Sequence, residues 1–234
     1  ARGISRQGGD VCIWGRSDEK LQQALKELQA FGTRIHGMVV DVADEAAVAS
    51  AFADVLQQFG RVDACFANAG IGGGRRSFDE LDTEVWRRVL SVNLDGLMFT
   101  LRAAARHMKE RADAGDPGGR LIGTSSLGAI LGMAKSQAYS GSKGAVISIM
   151  QALAIEYARY KVTANSILPG HIETPMTEVG YQNEKFINAI MPRIPARRWG
   201  SAADFEGIAV YLMSDASQYH TGDKFVIDGG FNMF

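Results

Sequence analysis

Six short apolar runs recur along the chain, at residues 11–14, 35–40, 62–67, 121–124, 163–168 and 225–227, and longer stretches with helical periodicity separate them. This alternation is the strongest constraint on the fold. Runs too short to be core helices read as strands, and strands spaced by helices join into parallel βαβ units with right-handed crossovers. The expected class is α/β, a doubly wound parallel sheet covered on both faces. In such sheets ligands sit beyond the carboxyl ends of the strands, where the order reverses. Most of the chemistry-bearing residues described below follow directly after an apolar run, so they are expected to converge on one cleft. No linker interrupts the 234 residues, 46% of them hydrophobic, which suits one domain over residues 1–234 with a sizeable core.

The remaining composition narrows the partners. The formal charge of −1 is spread without a basic block, which argues against nucleic acid or a membrane surface and favours a small molecule. Cys12 and Cys65 fall within apolar runs and read as small hydrophobes in a reducing cytoplasm. No run of about eighteen apolar residues and no secretory pattern occurs. The histidines His36, His107, His171 and His220 lack ligand spacing, so no metal site is expected.

The segment SSLGAILGMAKSQAYSGSK, residues 125–143, sets a hydroxyl, a phenol and an ammonium at useful intervals. Tyr139 and Lys143 stand at i and i+4 on one helix face, where the ammonium favours phenolate and brings a proton-transfer group toward working pH. Ser126, beyond a glycine-containing turn, is placed to hydrogen-bond the oxygen that exchanges this proton. Taken alone, the same pattern fits a tyrosine on an amphipathic helix beside a solvated lysine.

Landmarks in order from Gly3 to Gly230 decide between these readings, because the chain resembles the classical short-chain dehydrogenase/reductase family. ANAG at residues 67–70 is similar to that family's NNAG, and SVNLDG at 91–96 to its NxxG segment. NSILPGHIETPM at 165–176 is similar to its PG-and-threonine segment, and TGDKFVIDGG at 221–230 to its C-terminal signature. The resemblance implies a Rossmann-like fold, a nicotinamide cofactor and a catalytic set of Asn93, Ser126, Tyr139 and Lys143. In that set the backbone of Asn93 helps hold a water linking the lysine to solvent, and the proton path runs from Tyr139 through the cofactor ribose and Lys143.

It also implies cofactor contacts. ARGIS at residues 1–5 looks like the end of the family's phosphate loop, with Ser5 at a glycine position. Gly3 and Ile4 would supply part of the pyrophosphate surface through backbone amides. Asp41 and Val42 match adenine-contacting positions, though Asp41 also reads as a cap for the helix beginning near Asp44. Asn68, Ala69 and Gly70 allow close backbone approach, and Pro169, Gly170, Ile172 and Thr174 match the nicotinamide segment. Tyr139 and Lys143 also contact the cofactor in this pattern. Where NAD-preferring members place a carboxylate, this chain has Gly15 followed by Arg16. Arg16, with Arg2 as a second candidate, suits a 2′-phosphate, so NADP is preferred over NAD. The competing reading is that Arg16 opens a solvated helix with Asp18 and Glu19.

The family's first strand and most of its first helix are missing from these residues. A crossover needs about a dozen residues and only Arg6 and Gln7 precede Gly8. That strand lies mid-sheet, so its absence leaves both neighbours with unpaired backbone, and these residues alone are not expected to fold well. The expectation is that they belong to a longer natural chain, a truncated, catalytically silent protein being the rival.

The activity implied is interconversion of a secondary alcohol and a ketone. A catalytically silent cofactor-binding or interaction scaffold is the alternative from another class, and an epimerase or dehydratase of the related extended group is a third. A substrate lid is expected at about residues 175–198, lined by Met176, Val179, Tyr181, Phe186, Ile187, Ile190 and Met191, with Arg193 and Arg197 placed to meet an acidic group, Arg198 structural and His171 either touching substrate or facing solvent from its loop. AVISIMQALAI at 145–155 is apolar around more of its circumference than one sheet requires, which with the FNMF ending points to a homotetramer, otherwise a dimer.

Overall fold

The computed structural model describes residues 1–233. Phe234, the last residue of FNMF, lies outside the described residues. Every expected strand is present: β1 (Val11–Gly15), β2 (Ile35–Val39), β3 (Ala64–Ala67), β4 (Gly119–Thr124), β5 (Val162–Pro169) and β6 (Lys224–Ile227). All pairings are parallel, as the crossovers demanded. The third run is shorter than its apolar residues suggested. The Val62 amide donates to His107 Nε2 at 3.2 Å and its carbonyl accepts from Arg111, so side chains replace the ladder there.

The helices are α1 (Arg2–Arg6), α2 (Asp18–Gln29), α3 (Glu45–Phe59), α4 (Thr83–Leu90), α5 (Gly96–Asp113), α6 (Gln137–Tyr157), α7 (Glu178–Tyr181), α8 (Glu184–Ile190) and α9 (Glu206–Met213). Their starts follow from local chemistry. Ser17, Asp44, Asp82 and Asn183 precede α2, α3, α4 and α8, and their side-chain oxygens accept amides of the first turn. Asp44, rather than Asp41, caps α3; Asp41 instead accepts the Ala43 amide at 3.0 Å.

Alternate residues of the central strand face opposite layers. Leu121 packs with Leu101, Met108, Val146 and Met150 beneath α5 and α6, while Ile122 meets Ile167 and Leu212 toward α9. α1 is docked on α9 by Arg6, whose guanidinium lies 2.8 Å from Glu206, with Arg2 at 3.7 Å. Phe231 is used internally, buried with Leu127 and Ile194, so of the described part of the FNMF ending Met233 is the apolar side chain left well exposed. Among the described residues no helix is long and apolar enough to cross a membrane.

The missing strand has a visible consequence. The order is β2-β1 in one sheet and β3-β4-β5-β6 in a second, so β1 and β3 each have one strand partner among the described residues. Burial follows the break. β5 is buried at seven of eight positions, whereas all five positions of β1 and three of four in β3 are only half-buried. Both cysteines lie on these two strands as free thiols. Because the four strands of the larger sheet are parallel, the segments after β3, β4 and β5 gather at one edge of it.

Candidate active site

The site is assembled where the end of β4 meets the first turns of α6. Lys143 is 4% exposed, and its ammonium donates to the Thr124 carbonyl at 2.7 Å. In return the Ser125 hydroxyl donates to the Lys143 carbonyl at 2.7 Å, so strand end and helix are tied in both directions. Ser126, in extended backbone, accepts the Gly128 amide at 3.1 Å and begins a single tight turn at Leu127–Ala129. The same side chain lies close enough to the Tyr139 phenol to pull its pKa down.

Asn93 enters from a different element. Between α4 and α5 the chain makes one wide turn of π-helix, Ser91–Asp95, a departure from α geometry that recurs at functional sites. This turn buries Asn93 completely. Its amide donates to the Ile71 carbonyl and the Ser142 hydroxyl, both at 3.0 Å, and its oxygen accepts the Ile71 amide at 2.7 Å. Ser142 passes the link to the Tyr139 carbonyl at 2.7 Å. Gly70 makes the convergence possible, since a Cβ there would lie 3.2 Å from Asn93 Oδ1 and 3.3 Å from Lys143 Nζ. The four residues of the expected catalytic set therefore share one cluster of elements.

The electrostatics differ from the expectation of a phenol acidified by its neighbouring ammonium. Burial holds the Tyr139 phenol above its ordinary pKa, and the opposing influence is the Ser126 side chain. Burial also pulls Lys143 down to about 8, because a desolvated ammonium is disfavoured even with a carbonyl to bind.

Of the expected cofactor residues, Gly70 and Asn68 adjoin this cluster and the others lie on neighbouring elements. Asn68, after β3, accepts the Thr124 hydroxyl at 3.0 Å, with Ala69 and Gly70 following. Val42, after β2, reaches Gly96 closely enough that a Cβ there would lie 2.7 Å from its methyl. After β5, Pro169 leads into Gly170, whose missing Cβ would stand 2.6 Å from the Asp228 Cβ; only glycine lets these two strand ends approach. Ile172 bridges to Gly200, and Thr174 shares a hydrogen bond of 3.0 Å with Thr177. Arg16, after β1, is exposed and without a side-chain partner among the described residues, whereas Arg2 faces Glu206. Gly3 and Ile4 are buried in α1, with Gly3 packed on Glu206. An exposed arginine after β1 and small residues at Ala69, Gly70 and Gly170 near strand ends suit a dinucleotide.

Within residues 175–198, Arg198 forms two hydrogen bonds with Asp204, at 2.6 and 2.8 Å, in keeping with a structural role. Arg197 is held by the Pro192 carbonyl and Arg193 lies over the Phe231 ring, so neither stands clear as an anion receptor. His171 sits among Phe186, Trp199 and Phe231, with burial keeping it neutral more readily than usual. Thr124, Ser125 and Ser142 are the supporting residues that sequence reasoning passed over, although the doublet at 125–126 and the serine beside Lys143 were available as signals.

Known proteins resemble this chain along nearly its whole length. The family model described as Enoyl-(Acyl carrier protein) reductase matches residues 1–232. The gluconate 5-dehydrogenase of Gluconobacter oxydans is 32% identical over 230 residues, covering 98% of this chain and 88% of that protein. The L-rhamnose 1-dehydrogenase (NAD(P)(+)) of Azotobacter vinelandii is 35% identical over 234 residues, with 98% and 90% covered. The crystal structure of a gluconate 5-dehydrogenase from Burkholderia cenocepacia in complex with NADP and tartrate superposes with a TM-score of 0.92 at 30% identity, covering 100% of this chain and 89% of that one.

The buried ammonium sets a pH signature. An unfolded lysine titrates near 10.5 and the folded one near 8, so between these values unfolding takes up a proton and stability rises with pH. Wild type is expected to gain up to about 3 kcal/mol relative to Lys143→Met on moving from about pH 7 to about pH 10, read from urea unfolding. Parallel pH profiles for the two proteins would show that Lys143 is not held in this state.

Proposed function

The chain belongs to the short-chain dehydrogenase/reductase family, and from that premise we propose that it interconverts a secondary alcohol and a ketone with Tyr139 as the acid/base and NADP as the preferred cofactor. The observation that carries this reading is the junction of Ser126 with the Tyr139 phenol, beside Lys143 and Asn93. The relatives' names, dehydrogenases and reductases dependent on NAD or NADP, support the reaction class.

A bound nicotinamide supplies the hydride in reduction and takes it up in oxidation. In reduction Tyr139 gives its proton to the substrate oxygen, and the Ser126 hydroxyl donates a hydrogen bond to the charge developing on that oxygen. The raised phenol pKa keeps Tyr139 protonated at neutral pH, which suits this direction. In oxidation the phenolate takes the alcohol proton. Lys143 has further donors beyond the one given to Thr124 and serves both the ribose and the onward proton path. Asn93 holds the turn that closes this path.

Gly3, Ile4, Asp41, Val42, Asn68, Ala69, Gly70, Pro169, Gly170, Ile172 and Thr174 are proposed to hold the dinucleotide, with Arg16 on its 2′-phosphate. Residues 175–198, a pair of short helices, act as the substrate lid of a single domain spanning 1–234. Two free thiols suit a cytoplasmic setting. A homotetramer, otherwise a dimer, is supported by α6, where Val146, Met150 and Ala154 face the sheet while Ile155 is 83% exposed.

Three outcomes follow. Tyr139→Phe is expected to lower turnover on the order of a thousandfold, with NADPH affinity by fluorescence titration within a few-fold. Activity near wild type would remove Tyr139 from the chemistry. Arg16→Asp is expected to shift the NADP-to-NAD ratio of kcat/KM by about tenfold or more toward NAD. An unchanged ratio places the phosphate elsewhere. Light scattering at micromolar protein is expected to return a tetramer or dimer, and a fully active monomer would refute the assembly.

A further inference from the structure

We propose that the mouth of the site beside Tyr139 selects a hydroxylated substrate bearing an oxyanion, with Arg76 and Lys135 as the cationic pair and Gln137 as a hydroxyl acceptor. The proposal rests on Tyr139 being the reacting end of the site. A shallow recess opens between the loop after β3 and the segment leading into α6, and Arg76, Lys135, Gln137 and Tyr139 all line it. The Arg76 amide donates to the Lys135 carbonyl at 3.3 Å, which fixes the two cation-bearing loops against each other.

Neither cation is neutralised by the protein. Both are exposed, and neither has a side-chain hydrogen bond or ion pair among the described residues. The nearby acids are occupied elsewhere: Glu80 accepts the Ser77 hydroxyl at 2.7 Å, Asp82 caps α4, and Glu84 pairs with Arg87 at 3.1 Å. Asp79 is exposed and does not line the recess. Lys135 also holds φ at 64°, a left-handed conformation that a lysine adopts only where its surroundings impose it.

The second, independent observation is an orphan acceptor. Gln137 Oε1 is buried without a hydrogen-bond partner, and a buried carbonyl oxygen of this kind calls for a donor. A substrate hydroxyl supplies one, and an oxyanion further along the same molecule supplies what Arg76 and Lys135 lack. The arginine fork matches a carboxylate in two parallel hydrogen bonds, while the lysine acts as a point charge. An uncharged, wholly apolar ketone satisfies neither feature.

The test compares carboxylates (gluconate, galacturonate, tartrate), a phosphate (glucose 6-phosphate) and a neutral polyol (sorbitol), by calorimetric binding to the NADP-saturated protein and by turnover. At least one anionic probe is expected to bind tenfold or more tighter than sorbitol and to weaken with added salt. Arg76→Gln should weaken it about tenfold, the double variant with Lys135→Gln further, and Gln137→Leu should weaken hydroxylated probes generally. For turnover, Arg76→Gln should raise KM for the anion with kcat within a few-fold, leaving a neutral substrate unchanged. Carboxylate or phosphate preference identifies the oxyanion. Equal binding of charged and neutral probes, no binding of any anion, or equal effects of Arg76→Gln on both kinds overturns the proposal. Failure of the acid/base reading is separate: it would show as turnover surviving Tyr139→Phe, whatever these probes do.

Discussion

The site depends on the reciprocal tie between the end of β4 and α6, in which Lys143 donates to the Thr124 carbonyl and Ser125 donates to the Lys143 carbonyl. A strand end leaves backbone groups without a ladder partner, and burying them unpaired is costly. Here a side chain from the helix satisfies the strand and a side chain from the strand satisfies the helix. Ser126 and Tyr139 are thereby held one on each side of the junction, near enough for the serine to oppose the rise of the phenol's pKa. Asn93 and Ser142 brace the opposite side, so the chemistry-bearing groups sit on rigid elements.

The sheet is less uniform than the site. β4 and β5 are enclosed on both faces, as a parallel sheet requires, while β1 and β3 border the break and remain half-buried. The residues that bridge the two halves are large: Trp14 of β1 packs against the cluster containing Phe52 and Ala67. The cluster of Asn93, Ser126, Tyr139 and Lys143 stands on the four-stranded half and its helices. The proposed phosphate contacts, Gly3, Ile4 and Arg16, stand on α1 and the two-stranded half. Of the proposed phosphate contacts, Gly3 and Ile4 are held by the docking of α1 on α9, whereas Arg16 is exposed at the end of a half-buried strand.

Much of this was legible in the sequence, for physical reasons that differ by feature. Strands and helices were readable because a period of two or a continuous apolar run cannot be mistaken for a helical stripe over a dozen residues. Tyr139 and Lys143 were readable because helical spacing alone places them on one face. The split sheet was readable from the few residues separating Ser5 from the first apolar run. What escaped were contacts that depend on tertiary closure. Thr124, Ser125 and Ser142 are small hydroxyls whose roles appear only when strand end and helix meet. Arg193 and Arg197, read as placed to meet an acidic group, are engaged by the Phe231 ring and the Pro192 carbonyl, whereas Arg76 and Lys135 come together only when folding sets their loops side by side. Phe231, read as an intersubunit contact, fills an internal pocket with Leu127 and Ile194.

The two titrating groups move in opposite directions from the usual picture of the pair, and both movements have one cause. Withdrawal from water disfavours the phenolate and the ammonium alike, so Tyr139 becomes a weaker acid and Lys143 a stronger one. The two values therefore cross and move apart, so the ammonium gives up its proton before the phenol does. A lysine fixed as a permanent counter-charge would need an acidic partner, and its first bond here goes instead to a neutral carbonyl. With a pKa of about 8 it exchanges protons near neutrality, which suits a member of a proton path better than a static cation. An anionic charge brought beside it stabilises the ammonium and raises its pKa again.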